Sequence, residues 1–414
     1  MTRILVYTSP ARGHLYPIAP IMLELQRRGH QVALRTLASQ VELMRGLGID
    51  AAPISERVEG IELNDYRGRS QPAKGIRALT TFAARAKREV PDLAAAIETE
   101  RPDALLIDCM TWGAASVTEA SGLPWAQFVP YPLPMPSRDA PPFGPGLRPA
   151  RGPVGRLRDR AMRPFAAAMF DRTALESLNA IRLELGVPAL LNGSDVFALA
   201  PLVLYLTSEP FEYPRSDWPG AVRMVGPCAW DPPAAPPVWL AQVERPLVVV
   251  STSSERQEDR RLVTTALEAF AGEEVEVVAT LPADGAQGIE VPSNAHVERF
   301  LAHGPLLAKA ACAITHGGAG VTQKALAAGV PVCVVPFGRD QHEVARRVEV
   351  AGAGSRLSVR RLTPARLRAK AYEAMRMRAG ARRVSDAFAA AGGPAAAADA
   401  FELLVRDPSP TALS

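Results

Sequence analysis

The chain is poor in the residues that announce metal, redox or disulfide chemistry. Its 414 residues hold only four cysteines and six histidines. Cys109, Cys228, Cys312 and Cys333 lie far apart, mostly in apolar runs, with neither a zinc spacing nor a disulfide framework. Free thiols in a reducing compartment fit that pattern. No Asp-x-Asp pair occurs, so nothing obvious would hold a divalent ion on a phosphate. Basic residues are not interleaved with aromatics, which argues against a nucleic-acid face. Runs of like charge are missing too, and with them the usual signature of disorder. No apolar run reaches the roughly 20 residues of a membrane span, and MTRILVYTSPARGH is too short and too early for a signal-peptide core. These absences predict a soluble, cytoplasmic protein without stable membrane insertion; a homodimer is left open.

What is present reads as α/β. Short apolar runs predict strands at 4–8, 31–36, 104–109, 125–130 and 202–207, then near 247–251, 275–280, 311–315 and 331–335, alternating with helical patterns. Such alternation argues for parallel sheets flanked by helices. The first helix is expected near Pro17, a residue suited to a first turn, with Ile18, Ile21, Met22 and Leu25 at helical spacing and Gly29 ending it. Ten prolines between 124 and 153 predict a shaped loop, followed by a helical region at about 155–185. Proline returns in PCAWDPPAAPP (227–237). The simplest organisation is a first αβ domain (1–224), a stiff linker (225–243), a second αβ domain (244–383), one last helix (384–406) and a disordered tail (407–414).

Three loops at predicted carboxyl ends of strands carry the chemical signal, because open parallel sheets bind ligands there. The first is Ser9-Pro10-Ala11-Arg12-Gly13-His14. A histidine at this point is suited to general-base work near neutral pH, and equally to capping a helix. The second is Asp108, which could hold that imidazole in one tautomer or cap the helix after it. The third is Thr315-His316-Gly317-Gly318-Ala319-Gly320, a strand running into a glycine turn that opens a helix. Unpaired N–H groups and the positive helix end make such a turn an anion site. It lacks the Lys-Ser/Thr of a P-loop and the dinucleotide fingerprint. Beyond the next strand, Asp340-Gln341 pairs a carboxylate with a carboxamide, a combination suited to sugar hydroxyls.

With these motifs in place, the chain resembles nucleotide-sugar-dependent glycosyltransferases of the two-Rossmann-domain (GT-B) type, in the bacterial macrolide and antibiotic branch. The likeness covers nearly the whole chain and is most specific over 296–354. It implies two Rossmann-like domains facing across a cleft, the last helix crossing back to the first. It also implies inverting, metal-independent transfer from a nucleoside diphosphate sugar to a small apolar acceptor, with no cofactor. His14 would be the base and Asp108 its orienting partner. Ser251, Thr252, Ser253 and Ser254, with His316, Gly317, Gly318, Ala319 and Gly320, would hold the diphosphate. Phe300 would stack on the nucleotide base, Leu301 would read its edge, and His303 would lie by the ribose. Asp340 and Gln341 would hold the sugar. Gly13, Trp112, Phe128, Tyr131 and Phe143, with Phe165, would line the acceptor pocket.

One departure bears on the donor. Where many uridine-diphosphate users carry a ribose-gripping glutamate, this chain has Lys324, which cannot accept those hydrogen bonds. The reading therefore leans toward a thymidine-diphosphate sugar, conceivably a deoxysugar. Two rivals stand beside it: a catalytically silent donor-binding partner of another transferase, and a nucleotide-sugar epimerase or hydrolase on the same fold.

Overall fold

In the computed structural model, which describes residues 1–283 and 285–407, the strands form two wholly parallel sheets. The first comprises β1 (Arg3–Tyr7), β2 (Gln31–Thr36), β3 (Asp50–Pro53), β4 (Ala104–Asp108), β5 (Trp125–Val129), β6 (Leu202–Tyr205) and β7 (Val222–Met224), in the order β3-β2-β1-β4-β5-β6-β7. The second comprises β8 (Leu247–Ser251), β9 (Glu276–Thr280), β10 (Ala295–Glu298), β11 (Ala310–Thr315), β12 (Val332–Val334) and β13 (Gly354–Arg356), in the order β10-β9-β8-β11-β12-β13. Helices cover both faces of each sheet, so the central strands read ALLID and LVVVS, apolar almost without alternation. The four strands that the sequence pattern did not predict are the four sheet edges. DAAP, VRM, AHVE and GSR are too short and too polar to show a period.

Strand parity corrects one expected site residue. Along β5, Trp125 and Val129 join the core on one face of the first sheet, while Ala126 and Phe128 join the other. Phe128 is wholly buried among Ile4, Val6 and Leu204 and does not reach the cleft. Helix boundaries differ in three places. The first helix, Arg12–Arg27, begins five residues before Pro17 and carries Pro17 and Pro20 inside it. Leu15, Ile18, Ile21, Met22 and Leu25 are all buried along one side, and that packing holds the helix despite the missing N–H groups. A thirty-residue helix, Gln71–Glu100, starts at the Ser70 cap and packs against the helix Trp112–Ser121. The single last helix is in fact two, Arg378–Ala390 and Gly393–Arg406, broken at Gly392, which takes φ +87°.

That break lets the chain serve both domains. Ala381, Val384 and Phe388 pack in the second domain's core, while Ala397, Phe401 and Leu404 pack under β1 and β6 of the first. Residues 378–406 are long and apolar enough to span a membrane by composition, yet both halves are tied into these cores. The tail expected from 407 lies, except for Asp407, outside the described residues.

Strand order reverses between β1 and β4, and again between β8 and β11. At such points the connecting helices leave on opposite faces, and a crevice opens beyond the carboxyl ends. Both crevices open into one cleft of about 1820 Å³ between the domains.

Candidate active site

His14 lies in the first turn of the helix after β1, and Asp108 ends the neighbouring β4. Their side chains meet, with His14 Nδ1 2.9 Å from the Asp108 carboxylate. Asp108 is fully buried and also accepts from the backbone N–H groups of Ser9 and Met110, each at 2.9 Å. A carboxylate held by three donors accepts from Nδ1–H, so the neutral imidazole keeps its lone pair on Nε2. Burial lowers the His14 pKa, but the charge and hydrogen bond of Asp108 outweigh it and leave it raised. As a base His14 works in its neutral form. The acid limb of kcat/KM is therefore expected above the ~6.5 of a free imidazole. In Asp108→Asn, where burial is opposed only by the smaller pull of Asp340 and Glu255, that limb should move to lower pH; a pH–rate profile that does not move would remove His14 from the proton transfer.

Across the cleft, β11 delivers His316 and the glycine turn to the start of the helix Ala319–Ala327. Gly317 holds φ +95° and packs behind the turn on Gln341 and Val334, outside the cleft lining. Gly318 faces the cleft, and a Cβ there would lie 2.5 Å from His316 Nε2, so only glycine fits. Burial lowers the His316 pKa to about 4. Its Nδ1 lies 3.3 Å from the Ser251 carbonyl, which can only accept. The neutral ring thus presents a lone pair at Nε2, and it donates to an anion only after taking up a proton. The four-residue loop after β8 lines the same cleft, but its hydroxyls partly hold the loop itself: Thr252 donates to the Thr280 carbonyl at 3.0 Å, and Ser253 accepts from Gln257 at 2.8 Å.

Both residues of the expected sugar pair line the cleft, but their surroundings differ. Asp340 lines the cleft, with its pKa raised to about 6, chiefly by burial. Gln341 is almost wholly buried: its carbonyl accepts from the N–H groups of Phe337 (2.7 Å) and Gly338 (3.0 Å), and its amide donates to Gln257. It shapes the loop that presents Asp340. Phe300 is 46% exposed at the cleft edge, with Leu301 beside it, and His303 Nε2 lies 3.1 Å from Thr280 Oγ1. On the acceptor side, Gly13, Tyr131 and Phe143 line the cleft, and the Tyr131 ring centroid is 5.8 Å from that of His14. Trp112 forms the floor, fully buried against Phe82, Phe170 and Phe197. Phe165 borders the opening, 79% exposed.

The structure adds residues that local patterns did not reveal. Arg339, just before Asp340, forms a bidentate pair with Asp65 of the first domain (2.8 and 3.1 Å). Lys74 donates to the Phe337 carbonyl at 3.2 Å. Deeper in the interface, Arg347 pairs with Glu212 (2.9 and 3.1 Å) and with Glu343 (2.9 Å), all three buried. Glu343 in turn accepts from the N–H groups of Gly144 and Gly146, at 2.8 Å each, and so anchors the proline-rich loop. Asp231, from the proline-rich linker, reaches into the cleft and pairs with Lys324. These partners are remote in sequence, and only the fold joins them.

Comparison with known proteins gives a consistent picture. Residues 264–404 match the family model of the erythromycin biosynthesis protein CIII-like, C-terminal domain. Over 420 aligned residues the chain is 32% identical to 4'-demethylrebeccamycin synthase of Lentzea aerocolonigenes, covering 97% of this chain and 99% of that protein. It is 30% identical to UDP-glycosyltransferase 2 of Phaeomoniella chlamydospora over 57% of this chain and 55% of that one. Its fold superimposes on the calicheamicin glycosyltransferase CalG4 with a TM-score of 0.77, at 20% identity, covering 99% of this chain and 100% of that one.

Proposed function

The chain belongs to the antibiotic and natural-product branch of the GT-B nucleotide-sugar-dependent glycosyltransferases, and from that premise we propose that it transfers a sugar from a nucleoside diphosphate, thymidine in preference to uridine, to a hydroxyl of a small apolar acceptor, with inversion and without a metal ion. The observation that carries this reading is the placement of the His14–Asp108 dyad opposite the glycine turn, at the two switch points of one cleft. The base and the leaving-group cradle come from different domains. A sugar held between them is attacked from the face opposite the bond that breaks.

In this mechanism the acceptor hydroxyl passes its proton to His14 Nε2 as its oxygen bonds to the anomeric carbon. The bond from that carbon to the phosphate oxygen breaks, and the diphosphate leaves with the electron pair. The N–H groups at the start of the helix Ala319–Ala327 and its positive end receive that charge, and His316 adds a donor once it has bound a proton. The lean toward thymidine rests on Lys324, whose ammonium cannot accept from a ribose diol.

Thermal unfolding of the protein with thymidine and uridine diphosphates and their sugars, in excess chelator, tests the reading. Ligands that bind the folded state raise the melting temperature as their concentration exceeds Kd. The expected result is a shift with both, larger for the thymidine series, and transfer unaffected by chelator. A larger uridine shift overturns the donor preference alone. Transfer abolished by chelator and restored by magnesium or manganese overturns metal independence. No shift with any nucleotide overturns the donor site and the transferase reading with it.

A further inference from the structure

If a nucleotide base stacks at Phe300 and the diphosphate sits at Gly318–Gly320, the ribose must lie between the 300–304 loop and the helix Ala319–Ala327, because it is covalently joined to both. One carboxylate bridges those two elements. Asp231 Oδ2 accepts from the Gly304 N–H at 2.8 Å, and Asp231 Oδ1 lies 2.5 Å from Lys324 Nζ. Lys324 also donates to the Trp230 carbonyl at 2.6 Å, and the Trp230 ring packs edge-on against Tyr16 at 5.3 Å. Both Asp231 and Lys324 line the cleft.

From this juxtaposition we infer that Asp231, on the linker, is the acceptor for the donor's 3′-hydroxyl, and that Lys324 is a positioning residue that fixes the carboxylate. The inference rests on the donor site proposed above. A carboxylate offers about four lone-pair positions on two oxygens. Here each oxygen already has one partner, Gly304 N–H on Oδ2 and Lys324 on Oδ1, which leaves a lone pair free to accept from a ribose hydroxyl. The 3′-hydroxyl is the one assigned, because ribose and deoxyribose share it. Because the carboxylate comes from the linker, donor binding is also tied to the segment that joins the domains.

Calorimetric binding of thymidine diphosphate and 2′,3′-dideoxythymidine diphosphate, to the full chain and to Asp231→Ala, tests this. A hydrogen bond to a charged group corresponds to a loss of about 10- to 100-fold in affinity when it is removed. That loss is expected for the wild-type protein when the 3′-hydroxyl is absent, and is expected to shrink to within about threefold in Asp231→Ala. If Asp231 only braces Lys324 and the 300–304 loop, the variant weakens both thymidine ligands alike and the 3′-hydroxyl gap survives, which overturns the assignment. A wild type that binds neither thymidine ligand overturns the donor site itself, and this assignment with it. Asp231→Asn, which keeps the shape and the Gly304 contact, replaces Asp231→Ala should the latter not fold.

Discussion

Replacing His14 with alanine is expected to lower kcat by about 10²–10⁴-fold, the usual contribution of a positioned general base, while the affinity for nucleoside diphosphate stays within about twofold. The asymmetry follows from the layout. His14 belongs to the first domain, and its ring is hydrogen-bonded to Asp108, whereas the glycine turn, Asp340 and the loop after β8 all belong to the second. Asp108→Asn should cost less than the full loss and act through the tautomer, since an amide that turns its NH2 toward Nδ1 forces the proton onto Nε2 and removes the lone pair the acceptor needs. Single-turnover transfer alongside equilibrium nucleotide binding separates the two effects. A variant that lost binding and kcat together would place His14 in the structure of the cleft, not in its chemistry.

The second large effect is on stability. Arg347→Met should lower the melting temperature by roughly 5 °C, because it removes the cation shared by two buried carboxylates and leaves Glu212 with Arg215 alone, a loss of about 3–5 kcal/mol. Burial alone would raise the Glu212 pKa, and Arg347 and Arg215 hold it down instead. Without Arg347 the carboxyl takes up a proton or draws in water, and the contact between Glu212 and the helix Gln341–Val350 is lost. Adding Glu212→Gln should recover part of the loss, since the cost is the stranded charge more than the missing bond. A melting temperature unchanged in Arg347→Met would show that water already compensates this cluster.

Local sequence reports what local physics determines. The central strands were legible because burial on both faces demands unbroken apolar runs. The glycine turn was legible because a missing Cβ and a helix start fall in consecutive residues. Phe128 was misread because a residue's side of a strand depends on which face the cleft uses, and parity alone does not give that. Gln341 lines the cleft beside Asp340 as expected, but the hydrogen bonds of its carbonyl to the turn at Phe337–Gly338 were not legible in the sequence. The interdomain partners were invisible for a simpler reason: Glu212 and Arg347 are 135 residues apart, and Asp65 and Arg339 are 274 apart. The Pro-rich setting of Asp231 marked a linker and hid a side chain aimed at the cleft.

The broken terminal helix has a consequence for protein engineering. Gly393 donates to the Val225 carbonyl at 2.6 Å, so the outgoing and returning crossings of the chain lie side by side. The first domain is thus assembled from both chain ends, and the second is one uninterrupted insert between them. A chimera made at a single junction in the linker would bring a foreign Phe401 and Leu404 into a core that Ile4, Val6 and Leu204 have been shaped to fill. A graft of the segment between Val225 and Gly393, with two junctions a hydrogen bond apart, exchanges the second domain and leaves the first with its own closing helix.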